Sequence, residues 1–289
     1  MPETSTPALY RSGEGEPLLL LHGFKGTWHQ WAQIIPALET GYEVIAPTLP
    51  GHHGGPPFEK TGALRLDDAG DAVEVQLDAL GVGTAHIVGN SMGGGLALEL
   101  AKRGRARSVV ALAPSGGWRA DSGESRRLAR FFVRQRRLVR AGRAALPMVM
   151  GQSATRRLAM RDVMWRGERM APRAAIDMVM FSMRCAIEGR VIEALFAERA
   201  AIDGLEDVRV PTLIAWPEHD RILPMKRHAE RFRTEIPGAE FVVLAGTGHV
   251  PMWDAPQLVL DTINEFVARQ IVAPAPAAPA ADAGAPAAG

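Results

Sequence analysis

Short apolar runs recur along the chain at 18–21, 42–46, 86–88, 109–112, 212–216 and 241–244. Their brevity and near-continuous apolarity predict strands buried on both faces, and all but the first carry β-branched or aromatic residues that suit a pleated surface. Between the runs the apolar positions recur at helical spacing. Leu66, Ala69, Val73, Leu77 and Leu80 fall three and four apart and stop at Gly81, which predicts an amphipathic helix with a glycine terminator. A second helix is predicted over 96–103. Strand alternating with helix implies parallel strands joined by right-handed crossovers, hence an α/β fold around a doubly wound, mostly parallel central sheet.

Residues 118–200 break this rhythm. They hold eighteen arginines, no lysine and eight acidic residues, a local net charge of +10, together with eight of the twelve methionines. No strand pattern is visible there, and the segment reads as a helical insertion. The chain therefore divides into a first part of the core (1–117), a helical cap (118–200), a second part of the core (201–272) and an Ala/Pro-rich tail (273–289). The tail has no large apolar residue with which to build a core, so disorder is expected of it.

The bulk properties bound the function. A 289-residue chain that is 47% hydrophobic and 22% charged has the composition of a soluble globular enzyme. A net charge of +1 provides no global field that calls for nucleic acid or an anionic membrane, and no apolar run approaches the length of a membrane span. The single cysteine, Cys185, excludes an intrachain disulfide and suits a reducing compartment. The first six residues lack the basic and apolar regions of a signal peptide. A cytoplasmic address and a small-molecule substrate as the partner are the expectation; the oligomeric state is left open.

The chemistry is concentrated in three loops. Gly89-Asn90-Ser91-Met92-Gly93 lies between a predicted strand and a predicted helix, which is the context a G-x-S-x-G nucleophile elbow requires. The serine must sit on a sharp turn, and glycines two residues to either side let the chain pack closely there. His22-Gly23-Phe24 follows the first apolar run. A tight turn at that point can set the backbone N–H of Phe24 beside that of Met92, a pair of donors for an oxyanion. Read alone, His22-Gly23 would be an ordinary strand-to-loop turn; its place ahead of the elbow favours the functional reading.

The base must be one of eight histidines: His22, His29, His52, His53, His86, His219, His228 and His249. His249, in Gly246-Thr247-Gly248-His249-Val250-Pro251 after the last predicted strand, is the one free to reach the elbow. His86 falls inside a strand and reads as a packing residue, and His228 on a helix as part of a solvated face. His52 and His53 occupy a Pro/Gly loop and read as surface, with pocket lining as the alternative; no ligand cluster accompanies them to indicate a metal. Asp220 follows the penultimate strand and is placed to orient the imidazole. Glu218 is its rival, whereas Asp254, five residues after His249, reads as a cap of the final helix. Trp28 and Trp31 can pack in a helix or edge the pocket.

With these residues in place the chain resembles the α/β-hydrolase superfamily over about 8–270, in the branch that uses a serine nucleophile. The chain order Ser91, Asp220, His249 is that superfamily's order. The stretch from Gly89 to Gly94 also resembles the elbow of meta-cleavage-product hydrolases, which break carbon–carbon bonds in dienoic acids. That subfamily typically has tryptophan after the catalytic histidine, where this chain has Val250, and its oxyanion loop differs from Phe24-Lys25-Gly26-Thr27. Haloalkane dehalogenases and epoxide hydrolases of this fold usually carry an aspartate nucleophile, which Ser91 is not.

The resemblance implies acyl transfer to water with no cofactor, and small to medium, mostly apolar carboxylic esters as substrates. The alternative is a carbon–carbon bond hydrolase or lyase acting on an anionic keto-acid, with arginines of 118–200 as its clamp. The arginines can equally form a solvated face, and the methionines can fill a core or line an adaptable apolar pocket.

Overall fold

The computed structural model describes residues 8–61, 64–119 and 122–272, so the Ala/Pro-rich segment lies outside the described residues. Seven strands form one sheet: β1 (Leu9–Ser12), β2 (Glu16–Leu21), β3 (Tyr42–Pro47), β4 (Ala85–Asn90), β5 (Ala106–Leu112), β6 (Thr212–Pro217) and β7 (Glu240–Leu244). Their spatial order is β1-β3-β2-β4-β5-β6-β7, with β1 antiparallel to β3 and every other pair parallel. All six apolar runs are strands. The edge strand β1, of sequence LYRS, carries no comparable run.

The wholly apolar stretch of β2 has a direct cause. Leu19 and Leu21 point into one core and Leu18 and Leu20 into the other, and all four are fully buried. Successive strand residues face opposite sides, and here both sides are covered by helices. Each such leucine contributes about 1.5–3 kcal/mol of burial. The helices before the elbow are α1 (Ile35–Leu38) and α2 (Leu66–Ala79). Asp68 accepts the N–H of Arg65 at 2.9 Å at the start of α2, and Gly81 ends it at φ +71°, a left-handed position that suits glycine. Helix α3 (Met92–Lys102) leaves the sheet at β4 and packs on β4 and β5.

Between β5 and β6 the described residues hold five α-helices and no strand: α4 (Glu124–Gly142), α5 (Leu146–Gly151), α6 (Ser153–Met160), α7 (Pro172–Ser182) and α8 (Glu188–Phe196). The methionines divide the segment's packing. Met150, Met160, Met164 and Met170 are buried together with Leu146 and Ala175 in a small core of their own. Helix α4 instead packs on α8 and buries Leu128 and Phe132 towards the main core.

After β6 come α9 (Met225–His228) and α10 (Glu230–Glu235), and after β7 α11 (Pro251–Asp254) and α12 (Pro256–Val272). His228 does not lie on a solvated face. It is 2% exposed at the end of α9, edge-on to Trp118, because this short helix turns its last residue inward. Trp31 is buried in the core while Trp28 stacks on His29. No helix among the described residues is long and apolar enough to cross a membrane.

Candidate active site

The elbow is built from close backbone approach. A Cβ on Gly89 would lie 2.1 Å from the carbonyl oxygen of Gly93, and one on Gly93 would lie 2.1 Å from that of Leu21, so neither position admits a side chain. Between them Ser91 sits at φ +56°, ψ −117°, a conformation that non-glycine residues adopt only under constraint. Its N–H donates to Leu112 at 2.9 Å, and its carbonyl receives Gly95 and Ser115, which hold the strained turn from three sides. The side chain stands at the head of α3, where the first helical N–H groups have no partner within the helix.

The loops placed around it converge. His249 Nδ1 donates to Asp220 Oδ2 at 2.7 Å, with both side chains buried. The other oxygen of Asp220 accepts the N–H groups of Ile222 (2.9 Å) and Leu223 (2.8 Å), so the carboxylate is fully engaged and its direction is fixed. Glu218 is half-exposed and accepts the N–H of Gly246 instead; the structure sets Asp220, not Glu218, against the imidazole.

The His22-Gly23-Phe24 turn packs against the serine, since a Cβ on Gly23 would lie 3.3 Å from Ser91 Cβ. Gly26 donates to Gly23 at 3.0 Å to close the turn, with Lys25 in the left-handed region at φ +66°. Lys25 Nζ reaches Glu188 Oε1 at 2.8 Å, with each side chain 7% exposed. A buried ion pair thus joins this turn to the first residue of α8. His22 is neutral: Leu49 N–H donates to its Nε2 at 2.9 Å, its Nδ1 lies 2.8 Å from the carbonyl of Gly23, and burial holds its pKa well below the usual value.

Several site residues gave no signal in the sequence. Gln30 Oε1 accepts the N–H of Gly23 at 3.0 Å, and its amide donates to Asn90 Oδ1. Asn90 in turn donates to the carbonyls of Leu112 (3.1 Å) and His249 (3.0 Å). Two buried amides therefore link the Gly23 turn, the elbow and the histidine loop. Asp254 does not cap the final helix. Its buried carboxylate accepts the N–H groups of Gly248 (2.7 Å), Trp165 (2.9 Å) and Arg166 (2.6 Å), because the segment between α6 and α7 crosses directly over the histidine loop. His52 is not a surface residue either: it is 4% exposed, packed edge-on to His22 and Phe24.

A cavity of about 80 Å³ opens on Ser91, lined beside it by Phe24, Met92, Trp118, Phe132 and Leu195. The ring of Phe24 meets Phe132 of α4 edge-on at 5.0 Å, which brings the Gly23 turn and α4 together at its wall. No methionine and no arginine of 118–200 is among the described lining residues; Met92 of α3 and Arg65, just before α2, are. The methionine lining and the arginine clamp expected as options are therefore absent from this cavity. Its apolar wall comes from aliphatic and aromatic positions on α2, α4 and α8, joined by Phe24, Trp118, Ile222 and Leu223 from the loops between elements.

Comparison with known proteins agrees with the architecture. A family model described as the alpha/beta hydrolase fold matches residues 16–256. The chain is 35% identical over 204 residues to epoxide hydrolase EphH of Mycobacterium tuberculosis, an alignment covering 68% of this chain and 92% of that one. It is 27% identical over 264 residues to lipase 3 of a Moraxella species, covering 88% and 77%. Among solved structures, a thermophilic esterase from Thermogutta terrifontis superposes with a TM-score of 0.70 at 24% identity over 91% of this chain and 93% of that one.

Proposed function

The chain belongs to the α/β-hydrolase fold family, and on that premise we propose that it is a serine hydrolase of small, mostly apolar carboxylic esters. The observation that carries the reading is the apolar cavity opening on a strained, helix-capping Ser91 between Phe24 and Met92. In this reading Ser91 Oγ attacks the ester carbonyl while His249 Nε2 takes its proton. Asp220 holds Nδ1 and stabilises the imidazolium that forms. The backbone N–H groups of Phe24 and Met92 receive the oxyanion, each worth about 3–4 kcal/mol in the transition state. Collapse expels the alcohol, protonated by His249, and leaves an acyl-serine. Water, deprotonated by the same histidine, then releases the acid.

The cavity also favours a substrate size. Its volume of about 80 Å³ is well below the ~150 Å³ of a dry cavity that admits benzene, so a short acyl chain fits. Carbon–carbon cleavage of an anionic keto-acid is the weaker reading, because it needs a cation facing Ser91 and Arg65 is 61% exposed at its side chain. Epoxide opening in this fold usually needs an aspartate where Ser91 stands. The test is a turnover panel of acetate, butyrate and octanoate esters, a dienoic keto-acid and an aryl epoxide. The butyrate ester should lead. Preferential turnover of the keto-acid or the epoxide would overturn the assignment.

A further inference from the structure

The net charge of +1 conceals a division within the chain. Residues 118–200 carry +10, which leaves −9 for the remainder. The division is sharpest over 125–161, where eleven arginines occur without one acidic residue. Arg126 and Arg127, at the start of α4, reach Glu198 and Glu124. Beyond them no carboxylate follows in sequence until Asp162, so the later arginines of α4 have no acid within reach along their own helix.

The inner and outer faces of α4 differ accordingly. Leu128 and Phe132 face the cavity over Ser91. On the opposite side, Arg130, Val133, Arg134, Arg137 and Leu138 fall at helical spacing along one stripe and, with Phe196 at the end of α8, form a surface groove. Leu138 is 62% exposed and Phe196 42%. Apolar side chains standing in water between cations are unfavourable for a purely solvated face. A second copy of the chain offering the same face would set arginine against arginine. A nucleic acid would satisfy the arginines and leave Leu138 and Phe196 without a function. A layer of anionic headgroups over acyl chains satisfies both, with arginines at headgroup level and the apolar tips below them.

We propose that the outer face of α4, with Phe196, docks on an anionic lipid surface. The interaction is peripheral and independent of which bond the enzyme cleaves. Flotation of the full chain with phosphatidylcholine vesicles, alone or containing phosphatidylglycerol, tests it. The protein should float with the anionic vesicles only and release them at high salt. Arg134→Glu/Arg137→Glu should lower the bound fraction by more than about tenfold. Leu138→Ser should lower it at unchanged charge. Melting temperature and turnover of a soluble ester should match the parent in both variants. Absence of flotation, equal flotation on neutral vesicles, or wild-type flotation of either variant would overturn the proposal. So would equally tight, Leu138-independent binding to a double-stranded RNA fragment, which would assign a nucleic acid instead.

Discussion

The side-chain amide of Asn90 holds the carbonyl oxygen of His249 at 3.0 Å, across 159 positions of sequence. The residue before the proposed nucleophile thus fixes the loop of the proposed base, and its own oxygen is held by Gln30, which also holds Gly23. Asn90→Asp keeps the size but removes the donor to both Leu112 and His249. It should lower kcat by about 10–100-fold with KM little changed, since a misplacement of about 1 Å can cost that much. Steady-state kinetics on a soluble ester, with a melting curve as control, would check this. A loss confined to KM would show that Asn90 serves binding instead.

The buried pair of Lys25 and Glu188 should behave as a charge pair that cannot be halved. Lys25→Met leaves Glu188 uncompensated inside the protein, a loss of about 3–5 kcal/mol. Lys25→Met/Glu188→Leu removes both charges and should recover most of that stability. Urea midpoints of the two variants decide the matter; equal destabilisation would mean that packing, not charge, is what the pair supplies.

How much of this was legible beforehand depended on whether the determinant was local. Five of the six apolar runs announced their strands because two-sided burial leaves no polar alternation. The sixth, in the edge strand β7, is only partly buried, with Val243 42% exposed, and was legible by its β-branched and aromatic residues, which LYRS of the other edge strand β1 lacks apart from its tyrosine. Ser91, Asp220 and His249 stood out because glycines and strand ends mark them, and the structure brings Asp220 and His249 together. Gln30, Lys25 and Asp254 did not, since a buried polar residue is defined by partners distant in sequence. Asp254 looked like a helix cap by its neighbours, while two of its three donors, Trp165 and Arg166, come from nearly ninety positions away. The methionines were equally ambiguous, because a cavity wall and a separate small core demand the same apolar residues.

Two buried histidines should make the fold acid-sensitive. Burial pushes His52 and His228 down to about 4 from the ordinary 6.5. Between those values the unfolded chain binds more protons than the folded one, so stability is fullest above about pH 6.5 and is lost as pH falls towards about 4. Over that range each ring can withdraw stability on the order of 3–4 kcal/mol at most. His52→Gln and His228→Gln should each flatten the dependence of the urea midpoint on pH between about 7.5 and 4.5. Slopes identical to the parent's would contradict the burial argument.

Phe132 should set acyl length. It lines the cavity from α4 and meets Phe24 edge-on. Phe132→Ala enlarges the space beside Ser91 at a cost in stability of about 3–5 kcal/mol. In the folded fraction the ratio of kcat/KM for octanoate over butyrate should rise at least about tenfold, since a single methylene can be worth that much. An unchanged ratio would place the acyl chain elsewhere.

The ester-hydrolase assignment depends on Ser91 as the nucleophile. Intact-protein mass spectrometry after treatment with a fluorophosphonate tests this most directly, because the reagent reports the attacking oxygen without requiring the natural substrate. The expected result is a single adduct on the parent chain, mapped to Ser91. Ser91→Ala should show no adduct, with an unchanged melting curve and a fall in ester turnover on the order of 10⁶. An adduct on another serine, or a Ser91→Ala protein that keeps a substantial fraction of the parent rate, would contradict it.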